Sequence, residues 1–291
     1  MSTQLSASQR ALEYFRLVRL HRPIGTLLLL WPTLWALFIA ARGMPEVYTL
    51  FAFSLGTLMM RSAGCAINDW ADREFDGAVR RTRDRPLAAG RLAPWKAVMV
   101  FAVLSLLALP LVFPFGPLTW MLAVVAAFLA ASYPFFKRFF AIPQAYLGIA
   151  FGFGIPMAFA AVRGELPWSC WILLAANIAW AVAYDTEYAM VDREDDLKIG
   201  IRTSAITFGR HDVLAVMICY LLSLVLILWA SLREGLGAGI WLGLLAAAGV
   251  ALYHFRLIRH RHRDGCFRAF NHNTWFGAAV FLGILLGLAS R

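Results

Sequence analysis

Ten of the 17 carboxylates in this 291-residue chain fall in two short stretches. The first reads Asn68-Asp69-Trp70-Ala71-Asp72-Arg73-Glu74-Phe75-Asp76. The second reads Asp185-Thr186-Glu187-Tyr188-Ala189-Met190-Val191-Asp192-Arg193-Glu194-Asp195-Asp196. If the helices continue, Asn68, Asp72 and Asp76 share one stripe, and Asp185, Tyr188, Asp192 and Asp196 share another. Like charges at this spacing destabilise a helix modestly, and carboxylates close to a membrane cost more unless something neutralises them. A hard divalent cation does so, and Mg²⁺ is usually held by a few carboxylates together with substrate phosphates. Basic residues surround both stretches: Arg80-Arg81-Thr82-Arg83-Asp84-Arg85 after the first, Lys198 and Arg202 after the second, and Lys137-Arg138 elsewhere. Arg61 lies about two helical turns before Asn68. Acids ringed with guanidiniums suit a diphosphate, bridged to carboxylates by metal and paired directly with Arg and Lys. Two plainer readings compete. The acids can be solvated faces paired with nearby arginines, and the arginines can be topology determinants or headgroup anchors. An ion pathway is a third reading, against which the acids stand at helix ends and not mid-span.

The elements that must position these residues are membrane helices. The chain is 61% hydrophobic and 15% charged, with a mean hydropathy of +0.67, where a soluble domain carries about 25% charged residues. Charge-free runs long enough to span recur at Pro23–Ala41, from Val47 to near Arg61, and across Ala97–Phe136, which Phe113–Pro117 divides in two. Others are Phe139–Val162, Leu166–Tyr184, Val213–Leu232, Gly235–Tyr253 and Asn273–Ser290. They predict nine transmembrane helices. Continuous rather than alternating hydrophobicity argues against a barrel. Of the 27 Lys and Arg, 22 lie at the N-terminus and after the even-numbered spans, and four lie at the opposite ends. This asymmetry puts the N-terminus and both acidic stretches in the cytoplasm. It also explains the net charge of +10 without nucleic acid as a partner. Leu12–Leu20 is amphipathic and basic, so residues 1–22 read as a cytoplasmic interfacial segment of a single membrane-embedded domain over 1–291. The four cysteines form no CxxC pair and support neither a disulfide framework nor a zinc site. His254, His260 and His262 are placed in a basic connection before the ninth span, His272 and His211 at helix ends, and Cys65 in packing.

These residues carry a family resemblance. Asn68-Asp69-x-x-Asp72-x-x-x-Asp76, Asp192-x-x-x-Asp196 and Tyr133-x-x-x-Lys137 resemble three motifs of the UbiA superfamily of intramembrane aromatic prenyltransferases. The strings Tyr184–Asp196 and Gly200–Ala205, with Arg22-Pro23-Ile24-Gly25 and Pro32-Thr33-Leu34-Trp35, are similar to the branch that acts on 4-hydroxybenzoate. The resemblance implies an all-α fold of nine helices around a central cavity, closed on the cytoplasmic side by the motif-bearing connections and open laterally to the bilayer. It implies Mg²⁺-dependent transfer of an all-trans polyprenyl group, octaprenyl by analogy, from its diphosphate to the 3-position of 4-hydroxybenzoate. The setting is ubiquinone synthesis at the inner membrane. Menaquinone, haem or chlorophyll pathway prenyltransferases are the alternatives inside the family, and a cation-coupled transporter outside it. Asn68, Asp72, Asp76, Asp192 and Asp196 would hold metal. Arg73, Lys137 and Arg202 would stabilise the leaving group, and Tyr133 and Tyr188 would line the site of the allylic cation. Arg22 or Arg138 would bind the acceptor carboxylate, and Asp185 or the diphosphate would take the ring proton.

Overall fold

The structure is a computed structural model that describes residues 6–136, 140–200 and 202–291. Lys137 and Arg138 therefore lie outside the described residues, as does the first residue of the run predicted at Phe139–Val162. The described chain is all-α: α1 (Ala7–Leu17), α2 (Ile24–Ala41), α3 (Val47–Asp72), α4 (Pro94–Val112), α5 (Pro117–Phe136), α6 (Pro143–Gly152), α7 (Gly154–Arg163), α8 (Trp168–Ile199), α9 (Ser204–Phe208), α10 (Asp212–Arg233), α11 (Ile240–Ile258) and α12 (Arg263–Ala289).

Eight helical segments among the described residues are long and apolar enough to cross a membrane, against the nine predicted. The remaining long helix is α8, which contains the sixth predicted run from Trp168 onward. It packs against α10, α6 and α12, and most of its length is buried. A helix surrounded by protein need not be apolar all round, so Asn177, Tyr184 and Glu187 are tolerated on it. The helices facing outward show the complementary pattern. Leu106 on α4, Val124 and Phe128 on α5 and Leu245 on α11 are each more than 60% exposed, as lipid-facing side chains must be.

Helix ends and apolar-run ends do not coincide. Hydropathy marks the lipid boundary, while backbone hydrogen bonding carries a helix beyond it. Thus α3 runs on to Asp72, α11 reaches Ile258 and α12 begins at Arg263. His254 and His272 accordingly sit inside α11 and α12, which corrects their assignment to a connection and a helix end. The fifth predicted span is two helices joined at Phe153. Pro156 has no N–H to return to Gly152, so the ladder is interrupted there.

The core centres on aromatic contacts between α2, α8 and α12. Trp180 stacks on Phe276 at 5.3 Å, and Trp35 lies 5.2 Å from Trp180. The Trp35 indole donates to the Gly277 carbonyl at 3.0 Å. A buried polar cluster fixes α8 against α10, α11 and α12. Tyr220 Oη donates to Glu187 Oε1 at 3.0 Å, Asn273 Nδ2 donates to Glu187 Oε2 at 2.8 Å, and His254 Nδ1 lies 2.8 Å from Tyr220 Oη.

At the end of the bundle away from the acidic motifs, Arg163 caps the last turn of α2 by donating to the Ile39 and Ala40 carbonyls, both at 2.8 Å. The same guanidinium pairs with Glu234 at 2.8 Å. Burial opposes the Glu234 charge, but the hydrogen bonds from Arg163 and Ser169 hold its carboxyl below the usual range.

The α11–α12 crossing depends on two glycines. A Cβ added at Gly283 would sit 2.8 Å from the Gly243 Cα, and one at Gly243 would meet Gly283 N at 2.5 Å. Backbone is the obstacle on both sides, so neither helix can yield locally. Gly243→Val should lower the unfolding temperature of the detergent-solubilised protein by overpacking, at a cost of about 1–3 kcal/mol. A thermal melt matching wild type would show that the crossing tolerates a side chain.

On the motif side, α1 lies across the 73–93 connection. Ser6 and Gln9 form its capping box, Leu17 packs with Ala66, Leu87, Leu92 and Ala97, and buried Glu13 pairs with Arg16 and Arg91 at 2.9 Å.

Candidate active site

The last turns of α3 deliver Asn68, Asp69 and Asp72. The helix then stops at Asp72, so Asp76 does not continue the stripe as an eighth residue along it. It arrives by a turn instead. Phe75 N donates to the Asp72 carbonyl at 2.8 Å, residues Asp76–Ala78 make a 3₁₀ turn, and Thr82 Oγ1 closes on the Asp76 carbonyl at 2.9 Å. This folds Asp76 back beside its neighbours. On the other side α8 stays helical to Ile199, so Asp185, Tyr188, Asp192 and Asp196 keep their stripe.

The two sets meet across one cavity of about 190 Å³, lined by Asn68, Asp72, Asp76, Asp185, Asp192 and Asp196. All of these except Asp185 are buried. Arginines neutralise the acids. Arg81 Nε donates to Asp192 Oδ2 at 2.9 Å, and Arg85 reaches Asp76 at 2.8 Å and Asp69 at 3.1 Å. Arg19 pairs with Asp69 at 2.5 Å. Burial works against the Arg19 and Arg81 charges, but Asp69 for the one, and Tyr188 with Asp192 for the other, hold both guanidiniums above their ordinary range. The Arg81 guanidinium lies 4.3 Å over the Tyr188 ring, which stacks on Phe270 at 4.3 Å.

Two further cavities adjoin this one. A cavity of about 330 Å³ between α3, α4, α5 and α7 is lined by small and apolar side chains such as Gly56, Met60, Ala108 and Ala127, and reaches Phe115. A third, of about 480 Å³, extends from Arg22 past Phe270 and Tyr184 to Asp185 and Arg61. Tyr133 borders all three, and its hydroxyl donates to Asn68 Oδ1 at 2.7 Å. Arg61 stands between the apolar and the third cavity. Its guanidinium contacts Cys65 Sγ and lies 5.8 Å from the Phe151 ring centre, while its Nε is buried with no hydrogen-bond partner. Gly25 makes room for it: a Cβ there would come within 2.6 Å of Arg61 Nε.

Most of the residues singled out by spacing are thus brought together. Arg202 borders the polar cavity from its exposed edge, and Arg22 stands at the exposed rim of the third. Arg73 is turned elsewhere: it donates to the Trp70 carbonyl at 2.7 Å and pairs with Glu74. Lys137 and Arg138 are outside the described residues. The sequence named Arg19 only among the N-terminal arginines, Arg81 and Arg85 only as members of one run, and Asp69 only within its motif string. The arginines were masked because a positive-inside arginine and a site arginine look alike in sequence.

Among the described residues no three His, Cys, Asp or Glu side chains lie close enough to hold an ion unaided. The donor set still suits a hard divalent cation. It consists of oxygens alone, presented from two walls of one cavity, and Mg²⁺ takes one or two carboxylates with the rest supplied by phosphate and water.

The family model described as the UbiA prenyltransferase family matches residues 29–285. The chain is 62% identical over 283 residues to a 4-hydroxybenzoate octaprenyltransferase of Cupriavidus necator, covering 97% of this chain and 99% of that protein. It is 58% identical over 291 residues to the 4-hydroxybenzoate octaprenyltransferase of Ralstonia nicotianae, covering all of both chains. Among solved structures, the apo UbiA homolog from Aeropyrum pernix K1 superposes with a TM-score of 0.78 at 21% identity, over 92% of this chain and 98% of that one. A UbiA homolog from Archaeoglobus fulgidus bound to GPP and Mg²⁺ gives 0.70 at 17% identity, over 96% and 99%.

Proposed function

This chain belongs to the UbiA prenyltransferase family, and from that premise we propose that it transfers an all-trans polyprenyl group, octaprenyl by likeness to its relatives, from the diphosphate to the 3-position of 4-hydroxybenzoate in ubiquinone synthesis. The observation that carries the reading is the meeting of the α3 and α8 acids over one cavity that adjoins an apolar one. A lipid with an anionic head needs both. The relatives at about 60% identity bear the 4-hydroxybenzoate name, which favours this acceptor over those of the menaquinone, haem and chlorophyll pathways. We place the whole of 1–291 in one membrane-embedded domain of the inner membrane, with residues 1–22 at the cytoplasmic interface and the motif end of the bundle facing the cytoplasm.

Each residue then has a task. Asn68, Asp72 and Asp76 from one wall, and Asp192 and Asp196 from the other, would hold Mg²⁺. When bound, the metal neutralises the diphosphate and stabilises the charge that builds on it as a leaving group. Arg81, Arg85 and Arg202 pair with the remaining diphosphate oxygens, a role for which guanidinium geometry is suited. The apolar cavity holds the first prenyl units and excludes water from the allylic carbon. As the allylic C–O bond breaks, the ring carbon ortho to the phenol hydroxyl forms the new C–C bond. The displaced ring proton passes to the Asp185 carboxylate, which borders both the polar and the third cavity. Arg61 takes the acceptor carboxylate. Arg61 is half-buried at the junction of the cavities and its Nε has no hydrogen-bond partner, whereas Arg22 stands at the exposed rim.

The test is direct. Membranes containing the protein, offered 4-hydroxybenzoate and a series of polyprenyl diphosphates with Mg²⁺, should yield an acid heavier by one prenyl chain. Cation flux in proteoliposomes without any such product would favour a transporter instead.

A further inference from the structure

α8 carries Asp192 and Asp196 beyond its apolar run, which ends at Tyr184, and stays helical to Ile199. Helix ends fray unless they are tied down, while metal ligands must keep their positions to within about half an ångström. Something behind the polar cavity has to hold this end of α8. We infer that Asp212 does so: it is a positioning residue for Asp192 and Asp196, acting through Arg193, a role that rests on the metal–diphosphate reading above and adds what fixes the second wall of the site.

Asp212 opens α10 and is fully buried. Two guanidiniums from different elements converge on it. Arg193, the neighbour of Asp192 on α8, donates to Asp212 Oδ2 at 3.1 Å. Arg261, in the turn between α11 and α12, donates from Nε to Oδ1 at 2.9 Å and from Nη2 to the same oxygen at 2.6 Å. Its Nη2 also donates to the Arg210 carbonyl at 2.9 Å, in the turn that leads into α10. Arg261 adopts φ +56°, a left-handed conformation that side-chain-bearing residues seldom take. The backbone there is bent toward the contact.

A second tie lies close by. Arg263, the first residue of α12, donates to Asp195 Oδ2 at 3.3 Å. Successive residues of a helix point about 100° apart, so Arg193 and Asp195 flank the Asp192–Asp196 stripe, one on each side. A single tie would leave the helix end free to roll about it. Ties on both flanks fix its rotation and keep the two buried acids turned to the cavity.

Stability alone is a poor reason for such a cluster. A buried carboxylate loses about as much in desolvation as it gains from its partners, and apolar packing would join these helices as firmly. Apolar packing lacks direction, however. The planar guanidinium fork has it, and holds a carboxylate at a set distance and angle. Loss of the Asp212 charge should therefore be felt at the site more than in the melt. The Arg193 and Arg261 side chains are 32% and 39% exposed, so both can turn to water when the carboxylate is replaced.

Asp212→Asn keeps the shape and removes the charge. In the full-length detergent-solubilised protein, Mn²⁺ binding in the presence of inorganic diphosphate, followed by the EPR signal of the free ion, should weaken about tenfold, as is usual when a group that orients a metal ligand is lost. The Mg²⁺ concentration for half-maximal turnover should rise by a similar factor, with the KM for 4-hydroxybenzoate and the melt of the ligand-free protein near wild type. Arg193→Gln should do the same. The double variant should be little worse than either single one, because the two residues act through one contact. If wild type binds no Mn²⁺ and makes no prenylated acid, the underlying metal reading fails. If wild type does both, the positioning role is overturned by wild-type Mn²⁺ binding in Asp212→Asn, by a lowered melt with acceptor KM and metal affinity impaired together, or by effects that multiply in the double variant.

Discussion

Asp192→Ala should abolish measurable prenyl transfer, and Asp72→Ala should do the same from the opposite wall. Both side chains are buried at the polar cavity, and neither substitution touches the aromatic contacts that hold α8 in the core. The leaving group accumulates negative charge among buried side chains, where placed charges are worth more than in solution. Losing one such interaction typically lowers kcat by about 10²–10³-fold. Asp192→Ala also leaves the Arg81 guanidinium without its carboxylate, free to bind diphosphate too tightly and in the wrong place. Asp192→Asn keeps the shape and separates these effects: turnover still falls, while gel filtration and thermal melting stay near wild type. Because both carboxylates act on one diphosphate, the double variant should cost little more than either single one. EDTA should stop the wild-type reaction and Mg²⁺ should restore it, with no such response in the alanine variants. Near wild-type turnover in either Asp72→Ala or Asp192→Ala would remove the metal–diphosphate assignment.

How much of this was readable beforehand depended on whether local periodicity survived into the fold. The α8 acids were legible because the helix continues unbroken past the membrane boundary, so i, i+3, i+7 and i+11 remain one face. Asp76 reached the same cavity by a different physical route. Its stripe ended with α3 at Asp72, and a tertiary hydrogen bond from Thr82 fixes its return. The arginines of the 80–85 run were indistinguishable by sequence, since all satisfy the same topological rule. Only the folded connection sends Arg81 to Asp192 and Arg85 to Asp76, and leaves Arg83 beside Asp84 in solvent. Glu187 is the complementary case. It lies in the acidic run but off the Asp185, Tyr188, Asp192 and Asp196 stripe, and it faces away from the cavity into Tyr220 and Asn273. His254 completes that cluster from another helix, with no local sequence signal. Together they set the rotation of α8, and hence which acids face the substrate.

Arg61→Ala should weaken the aromatic acid selectively. A hydrogen-bonded charge pair contributes about 1.5–3 kcal/mol, so the KM for 4-hydroxybenzoate should rise roughly ten- to a hundredfold, with the KM for the polyprenyl diphosphate little changed. The cause is local. Arg61 lines both cavities where they meet, its Nε, packed against Gly25, has no hydrogen-bond partner, and a carboxylate held at that junction would pair with the guanidinium. Arg61→Lys should recover part of the loss, because an ammonium keeps the charge but not the planar fork. A second substitution tests the same contact from across the site. Gly25→Val places methyl groups where the guanidinium now rests, since even a Cβ would stand 2.6 Å from Nε. The obstacle is the end of a long side chain, so the fold accommodates it while Arg61 is pushed aside. Gly25→Val should therefore reproduce the Arg61→Ala rise in acceptor KM with a thermal melt near wild type. An acceptor lacking the carboxylate should be used equally by wild type and both variants. Unchanged acceptor KM in Arg61→Ala would move the carboxylate to Arg22 or Arg138, and would leave the Gly25 cleft as packing alone.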